Sequence, residues 1–486
     1  MAKKETASVK KNFIMNAILN MSAFIFPLIS FPYISRVLLP AGYGKVTAAY
    51  SLISYFAMVA QLGIPTYGIR ACARVRDDRE TLSKTVQEIF LINLIMSVLV
   101  YGVFFAAVFT VPALQEDRTL YIIVSATIFF NLIGMEWVYK ALEQYTYITK
   151  RSILFKFIAL ILVFVLIHSE DDVLWYGFTY IFASVGSNLM NFINVRKHVS
   201  VKPVGHYNLK QHLKPTFVFF AMTVATTIYT HLDTVMLKFM QGDEECGYYS
   251  AAVRIKTIAV SIVTSIGTVL LPRVSYYLDK KMHAEFKRVT AKAFNLVILM
   301  SLPMVIYFIC YAKETIVFLS GDAYLAAIPP MKIIMPTVFL IGLTNVMGIQ
   351  ILVPQGREKA VLVSEIVGAV VDLVLNILLI PRYGASGAAV GTLAAEVAVL
   401  IVQTVYLRAV LRDIAKDVRI GKILLACALA WAAARAASLL PISVNAMMLI
   451  WTALVFFGVY GIVLLVMKEP LARESVDIVL KKLKRN

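Results

Sequence analysis

Residues 215–271 read PTFVFFAMTVATTIYTHLDTVMLKFMQGDEECGYYSAAVRIKTIAVSIVTSIGTVLL. Two apolar runs flank a short acidic turn, QGDEEC at 241–246. Each run is long enough to cross a bilayer, which takes about 20 residues. A surface helix of a soluble protein would carry polar residues along a whole face. These two arms hold only Asp233, Lys238, Arg254 and Lys256 as charged residues. The turn centres between Asp243 and Glu244, so Asp233 and Arg254 each lie about ten residues away, roughly 15 Å inward. That is about the middle of the hydrocarbon. Thr223, Thr226, Thr230 and Asp233 share one helical stripe, and Arg254, Thr257, Ser261, Thr264 and Thr268 share another. Two readings stay open: the wall of a wet cavity, or hydroxyls bonded to carbonyls of their own helix.

The same pattern extends in both directions. Apolar runs at 12–38, 43–70, 86–110, 120–141, 152–168 and 173–195 precede the hairpin. After spans 215–239 and 247–271 come 290–310, 329–352, 360–380, 385–407, 421–440 and 444–467. The expectation is an all-α polytopic membrane protein with about 14 transmembrane helices. Composition agrees: of 486 residues, 60% are hydrophobic and only 16% charged, and the mean hydropathy is +0.77. Soluble domains run to about 25% charged, which excludes a soluble reading. At about 20 residues per span, no room remains for a large soluble domain.

The net charge of +18 would suggest nucleic acid in a soluble chain, but its distribution follows the bilayer. Lys and Arg gather in alternate connections, in RACARVRDDRE at 70–80, KKMHAEFKR at 280–288, RDIAKDVRIGK at 412–422 and the tail KKLKRN at 481–486. The intervening turns, such as HSEDDV at 168–173, are short and acidic. The positive-inside rule then puts both termini in the cytoplasm, and no nucleic-acid partner is expected. The basic start MAKKETASVKK opens an apolar run long enough to span, so it reads as an uncleaved anchor. His198, His206, His212 and His283 fall in the basic inner loops and read as solvated.

The long inner stretch 196–214, RKHVSVKPVGHYNLKQHLK, follows six spans and divides the chain. The expected organisation is an N-terminal six-helix lobe at 1–200, a cytoplasmic linker at 201–214, a C-terminal six-helix lobe at 215–411, and helices 13 and 14 with a basic tail at 412–486. A weak repeat supports two parallel halves. Gly44, Gly247 and Gly384 each follow an outer turn, and each is followed four and five residues on by two alanines. Small residues at such positions let helices approach closely.

The chain lacks a P-loop, since AGYGKVT at 41–47 has Val where Ser or Thr must hold magnesium. It contains no HExxH or GxSxG, and its four cysteines show no metal-ligand spacing. An enzyme, a metal site and a resident cofactor are therefore not expected. The informative residues are charges inside spans: Glu136, Asp233, Arg254, Lys256, Lys332, Glu365, Asp372 and Glu396. A charge in hydrocarbon costs several kcal/mol unless it meets a partner or water. Each is either a buried ion pair that fixes packing or part of a transport path. Carboxylates so placed exchange protons or bind Na⁺, and coupling to an H⁺ or Na⁺ gradient is the expectation.

Several stretches resemble one family in order and spacing. They are FPYISRVLLPAGYGKVTAAYSLISYFAMVAQLGIPTYGIR at 31–70, EWVYKALEQY at 136–145, LDTVMLKFM at 232–240 and CGYYSAAVRI at 246–255. PPMKIIMP at 329–336, GIQILVPQGREK at 348–359 and LNILLIPRYGASGAAVGTLAAE at 375–396 continue the series. Over nearly its whole length the chain resembles the Wzx-type lipid-linked oligosaccharide flippases of the MOP (MATE-like) superfamily. The resemblance implies a secondary transporter that flips undecaprenyl-pyrophosphate-linked repeat units across the bacterial plasma membrane for O-antigen, capsule or exopolysaccharide synthesis. It implies two six-helix lobes around a cavity, and contacts with membrane lipids and polysaccharide polymerase machinery. A pyrophosphate crossing the membrane needs a buried cation, so Arg254, Lys332 and Arg36 are the expected substrate-binding residues. Asp233, Glu365, Asp372, Glu396 and Glu136 are the expected ion-coupling or gating residues. Asp372 departs from the family pattern, in which Asn is expected. A MATE-type drug or cation exporter is the alternative, with a membrane glycosyltransferase or polymerase behind it.

The topology yields a direct prediction. Single cysteines at Ser169 or Gly242 react with an impermeant thiol reagent applied outside intact cells, and ones at Asp78 or His206 do not. A reversed pattern at either pair would break the span count.

Overall fold

The computed structural model describes residues 9–280, 282–418, 420–439 and 445–474. The basic start at 1–8 and the tail KKLKRN lie outside them. The described residues are helical, with no strand among them. The N-terminal part runs α1 (Val9–Gln61), α2 (Ile64–Val75), α3 (Arg79–Thr110), α4 (Pro112–Gln115), α5 (Arg118–Gly134), α6 (Glu136–Ala141), α7 (Tyr145–Leu166), α8 (Val173–Ile181), α9 (Asn188–Asn194) and α10 (Lys210–Met240). The rest runs α11 (Asp243–Asp279), α12 (His283–Cys310), α13 (Ala312–Ser320), α14 (Ile328–Ile334), α15 (Thr337–Asn345), α16 (Glu358–Ile414), α17 (Gly421–Ala437) and α18 (Asn445–Val466). Two compact units divide after Gly247. Span seven, α10, packs on α1 and α2 and so belongs with the first unit.

Among the described residues the apolar runs fall mostly on helix, and the breaks have local causes. α1 holds two spans, separated at Leu39 with φ 55° and ψ 178°. The residue before a proline is disfavoured in helical geometry, and Pro40 follows. α16 likewise holds two spans, broken at Gly384 with φ 51°. Pro336 sits between α14 and α15, and the two segments around it bend by 41°. The surface is turned inside out relative to a soluble protein: on α3, Ile95, Val98, Leu99 and Val103 are all more than half exposed. An exposed apolar band of that kind fits lipid and not water. This is a multi-pass membrane protein.

Two span boundaries read from the sequence differ from the structure. The run 43–70 is not one helix, because Leu62 and Gly63 both adopt left-handed backbone, with φ 47° and 75°. Past this break, α2 is a separate amphipathic helix that buries Ile64, Gly68 and Cys72 and exposes Arg70 and Arg74. Span five starts at Tyr145 instead of 152, which takes Arg151 into the helix. The outer stretch 311–328 holds α13 and a short 3-10 turn, Asp322–Ala327.

The glycine–alanine repeat has a physical basis. A Cβ on Gly44 would lie 1.9 Å from the Asp243 carbonyl oxygen, and one on Gly247 would lie 2.1 Å from that of Pro40. Residues 40–44 and 243–247 therefore lie backbone against backbone, an approach that any side chain would prevent. The paired alanines, Ala48 and Ala49, Ala251 and Ala252, Ala388 and Ala389, are all buried.

Gly44→Val should cost at least about 1–3 kcal/mol through overpacking. The expected readout is reduced membrane abundance and a lower melting temperature in detergent. Gly102, with nothing within 4 Å of a Cβ, is the comparison: Gly102→Ala should be neutral or stabilising by up to about 1 kcal/mol.

Candidate functional site

In the N-terminal unit the charged residues form clusters that no single span reveals. Asp117, at the entry to α5, accepts from Lys45 at 3.2 Å and from Lys238 at 2.7 Å, and Lys238 also reaches Asp243 at 2.5 Å. Two cations and two carboxylates thus join the second arm of α1, the start of α5 and the end of α10. Burial pushes the Asp117 carboxyl up, but Lys238 and then Lys45 outweigh it and hold it below the usual carboxylate range. Lys238 is one centre of this balanced group.

A second cluster lies where α3 meets the connection into α10. Glu88 and His212 are both buried. His212 Nε2 lies 2.7 Å from Glu88 Oε2, and His212 Nδ1 lies 2.7 Å from the Tyr67 hydroxyl. Glu88 also accepts from the backbone N–H of Asn208 at 2.7 Å and from Gln211 Nε2 at 2.9 Å. Gln87 beside it bonds the carbonyls of Ser200 and Lys202. His212 is therefore not a solvated loop residue, because the inner connection is held down on α3 by Gln87 and Glu88. The signal available in the sequence was a carboxylate just inside span three, at Glu88.

Glu136 does not stand alone either. Its Oε1 accepts from Lys140 at 2.8 Å and its Oε2 from Arg151 at 2.9 Å. Arg151 is buried and also donates to Ser187 Oγ at 2.6 Å and to Asn188 Oδ1 at 3.2 Å. Arg151 escaped the sequence reading because it sits at the misplaced start of span five. Arg36 is exposed and donates to the Pro32 carbonyl at 2.6 Å. Asp233 is buried on α10, in the same unit.

Arg254, Lys332, Glu365, Asp372 and Glu396 belong to the C-terminal unit. On α11 the buried stripe is Ala252, Ile255, Ala259 and Val263, with Arg254 and Lys256 half-buried on either side of it. At about 100° per residue they point roughly 200° apart, so they do not share a face. Lys332 is exposed on α14. The arms of α16 form a polar seam: Ser364, Asp372 and Asn376 on the first are buried, as are Gly391, Thr392, Glu396 and Gln403 on the second. A Cβ on Gly391 would lie 3.0 Å from Asp372 Oδ1, and Gln403 Nε2 donates to Ser364 Oγ at 3.1 Å. Asp372 thus faces the second arm at Gly391. The Tyr249 hydroxyl lies 2.9 Å from Thr392 Oγ1. Glu365 is half-buried at the edge of this seam.

The hydroxyl stripes resolve toward the plainer of their two readings. Thr223, Thr226 and Thr230 donate to carbonyls three or four residues back on α10. Thr257, Ser261 and Thr264 do the same on α11, and the Thr268 side chain lies outside the described residues.

Helical spans, internal charges and broken helices define a polytopic transporter-like membrane protein. The chain belongs to the polysaccharide biosynthesis protein family, whose model matches residues 9–278, in line with the resemblance read from the sequence. A MatE family model also matches residues 218–378. A proposed O-antigen transporter of Shigella dysenteriae is 24% identical over 81% of this chain and 98% of its own length. Another, from Escherichia coli K12, is 22% identical over 82% and 97%. Among solved structures, the lipid II flippase MurJ in an inward closed conformation superposes with a TM-score of 0.73, at 14% identity, over 94% of this chain and 99% of that one. An inward-facing multidrug MATE transporter gives 0.62 at 12% identity, over 83% and 99%. At these identities the structural likeness shows a shared fold.

The Asp117 cluster yields a prediction with a defined pH dependence. Asp117→Asn should destabilise the purified protein by about 1–3 kcal/mol at pH 7, seen as a lower melting temperature. Because the folded-state pKa of Asp117 is depressed, this stabilisation is present above the ordinary value of 3.8 and is lost as pH falls through the folded value. The difference between wild type and variant should therefore be constant from pH 8 to about 5 and close below about pH 4. A difference that stayed unchanged however far the pH fell would remove the ion pair as its cause.

Proposed function

We propose that this chain moves undecaprenyl-pyrophosphate-linked oligosaccharide repeat units from the inner to the outer leaflet of a bacterial plasma membrane, by alternating access of two helical lobes. The product serves surface polysaccharide synthesis. The observation that carries this reading is the similarity to two proposed O-antigen transporters over 97–98% of their lengths. The chemistry supports it. A diphosphate is drawn by cations at membrane depth, and Arg offers it planar, bidentate recognition. Arg254 on α11 is the preferred headgroup contact, with Lys332 and Arg36 on exposed faces along the route. The buried carboxylates Asp233, Asp372 and Glu396 are the groups suited to exchange H⁺ or Na⁺ between transport states. The basic connections favour an orientation with both termini in the cytoplasm.

Export of drugs or organic cations is a second reading, favoured by the MatE match over 218–378. It is the weaker one, since a cation exporter calls for net acidic binding surfaces. This chain carries Arg151, Arg254 and Lys156 on its membrane helices.

Deletion of the gene followed by lipid extraction separates the two. Accumulation of lipid-linked repeat units on the cytoplasmic leaflet is the expected result, whereas normal lipid turnover with new drug sensitivity would favour the exporter. Arg254→Ala should abolish complementation at normal membrane abundance, and Arg254→Lys should restore it in part, because a point charge loses the bidentate geometry. Lys256→Ala should leave transport per molecule unchanged. Survival of transport in Arg254→Ala with loss in Lys256→Ala would put the substrate on the other side of α11.

A further inference from the structure

The Glu136 cluster is unbalanced in a way that the other ion pairs of this unit are not. Lys45 and Lys238 meet two carboxylates, Asp117 and Asp243. Lys140, Arg151 and Lys156, by contrast, have Glu136 as their one nearby acid among the described residues. Lys140 and Arg151 both pair with it. Lys156 forms no ion pair among the described residues. Its Nζ donates to Ser22 Oγ on α1 at 2.9 Å, and Glu136 is the charged group that acts on it. Three cations against one carboxylate leave an excess of two positive charges, with Arg151 buried, Lys156 half-buried and Lys140 partly exposed. Uncompensated charge in a low-dielectric interior is costly, and a structural ion pair is normally balanced.

The donors are those that phosphate oxygens take. Arg151 is 3% exposed, and its guanidinium is held flat by Ser187, Asn188 and Glu136. Its Nε has no hydrogen-bond partner among the described residues, so a buried donor is left over in a group that already lacks an anion. Lys140 shares Glu136 with it, and Lys156 lies five residues further along α7. The cluster is open on one side, since the Lys140 and Glu136 side chains are 35% and 37% exposed. It also has depth: Lys156 lies eleven residues into α7, about 16 Å from its start. With the termini in the cytoplasm, that start faces the inner side.

We propose that Lys140, Arg151 and Lys156 form a binding site for the phosphate headgroup of a lipid, a diphosphate matching the two excess charges. Glu136 is the internal anion that holds the cations in place while the headgroup is absent. The assignment of that headgroup to the transported prenyl diphosphate rests on the function proposed above. A membrane phospholipid presents the same chemistry from another source.

The test uses full-length protein in phosphatidylcholine nanodiscs, titrated calorimetrically with inorganic pyrophosphate and with farnesyl diphosphate. Lys156→Met should weaken both by about tenfold or more, as loss of a charge-assisted contact does, and Lys156→Arg should retain most of the affinity. Glu136→Gln removes the competing anion, so it should bind pyrophosphate more tightly, and pyrophosphate should raise its melting temperature. A purely structural ion pair predicts the opposite: Glu136→Gln loses stability that no anion restores, and Lys156→Met leaves affinity unchanged. Either result overturns the site. Competition by phosphatidylglycerol with the same Lys156 dependence would support the site and give it to membrane phospholipid. Binding is read without transport, so the two proposals fail separately. Pyrophosphate affinity that depends on Lys156 in a protein whose deletion causes no lipid-linked accumulation keeps the site and removes the flippase reading.

Discussion

A charge inside a bilayer has no water to solvate it, so it must find an opposite charge, a fixed dipole or a hydrated space. That constraint organises the polar interior of this protein. Asp117 gathers two lysines from helices far apart in sequence, and in doing so ties α1, α5 and α10 together. Glu88 gathers His212, Gln211 and the Asn208 backbone, which holds the inner connection against α3. Glu136 gathers Lys140 and Arg151. In each case a single carboxylate fixes the relative placement of two or more elements, because leaving any member unpaired would cost more than the pairing itself contributes.

The backbone obeys the same rule. Every N–H and C=O at membrane depth must be satisfied inside the protein, so helices break only where another group or a tight approach covers the break. Leu39 and Pro40 break α1 at the place where residues 40–44 meet 243–247. The α16 break at Gly384 sets its two arms side by side along the Asp372–Gly391 seam. Small residues at these points do mechanical work, since they bring backbones to distances that side chains forbid. The recurrence of Gly followed by two alanines near residues 44, 247 and 384 is that requirement written three times.

Balanced and unbalanced clusters imply different tasks. A group with equal numbers of each sign, such as that of Asp117, is complete and suits a structural joint. A group with spare cations, such as that around Arg151, stays short of an anion until something brings one. A transporter of phosphate-linked lipids needs both kinds: joints that define its states, and sites whose charge is completed only by cargo.

Much of this was legible from residue order alone. The apolar runs, their number and the alternation of basic and acidic connections follow from transfer free energies, which are local properties of a stretch of about twenty residues. The opposed directions of Arg254 and Lys256 followed from the twist of a single helix. What the tertiary structure decided is partnership. Nothing near Glu88 in the chain announces His212, and Arg151 was hidden because a polar TKRS segment at 149–152 reads as a loop until Glu136, Ser187 and Asn188 are seen to satisfy it. The break at Leu62 and Gly63 was equally invisible, since an apolar run does not say whether its backbone bends. Hydrophobicity sums along the chain and can be read there, whereas charge compensation and close backbone approach depend on groups brought together from distant positions.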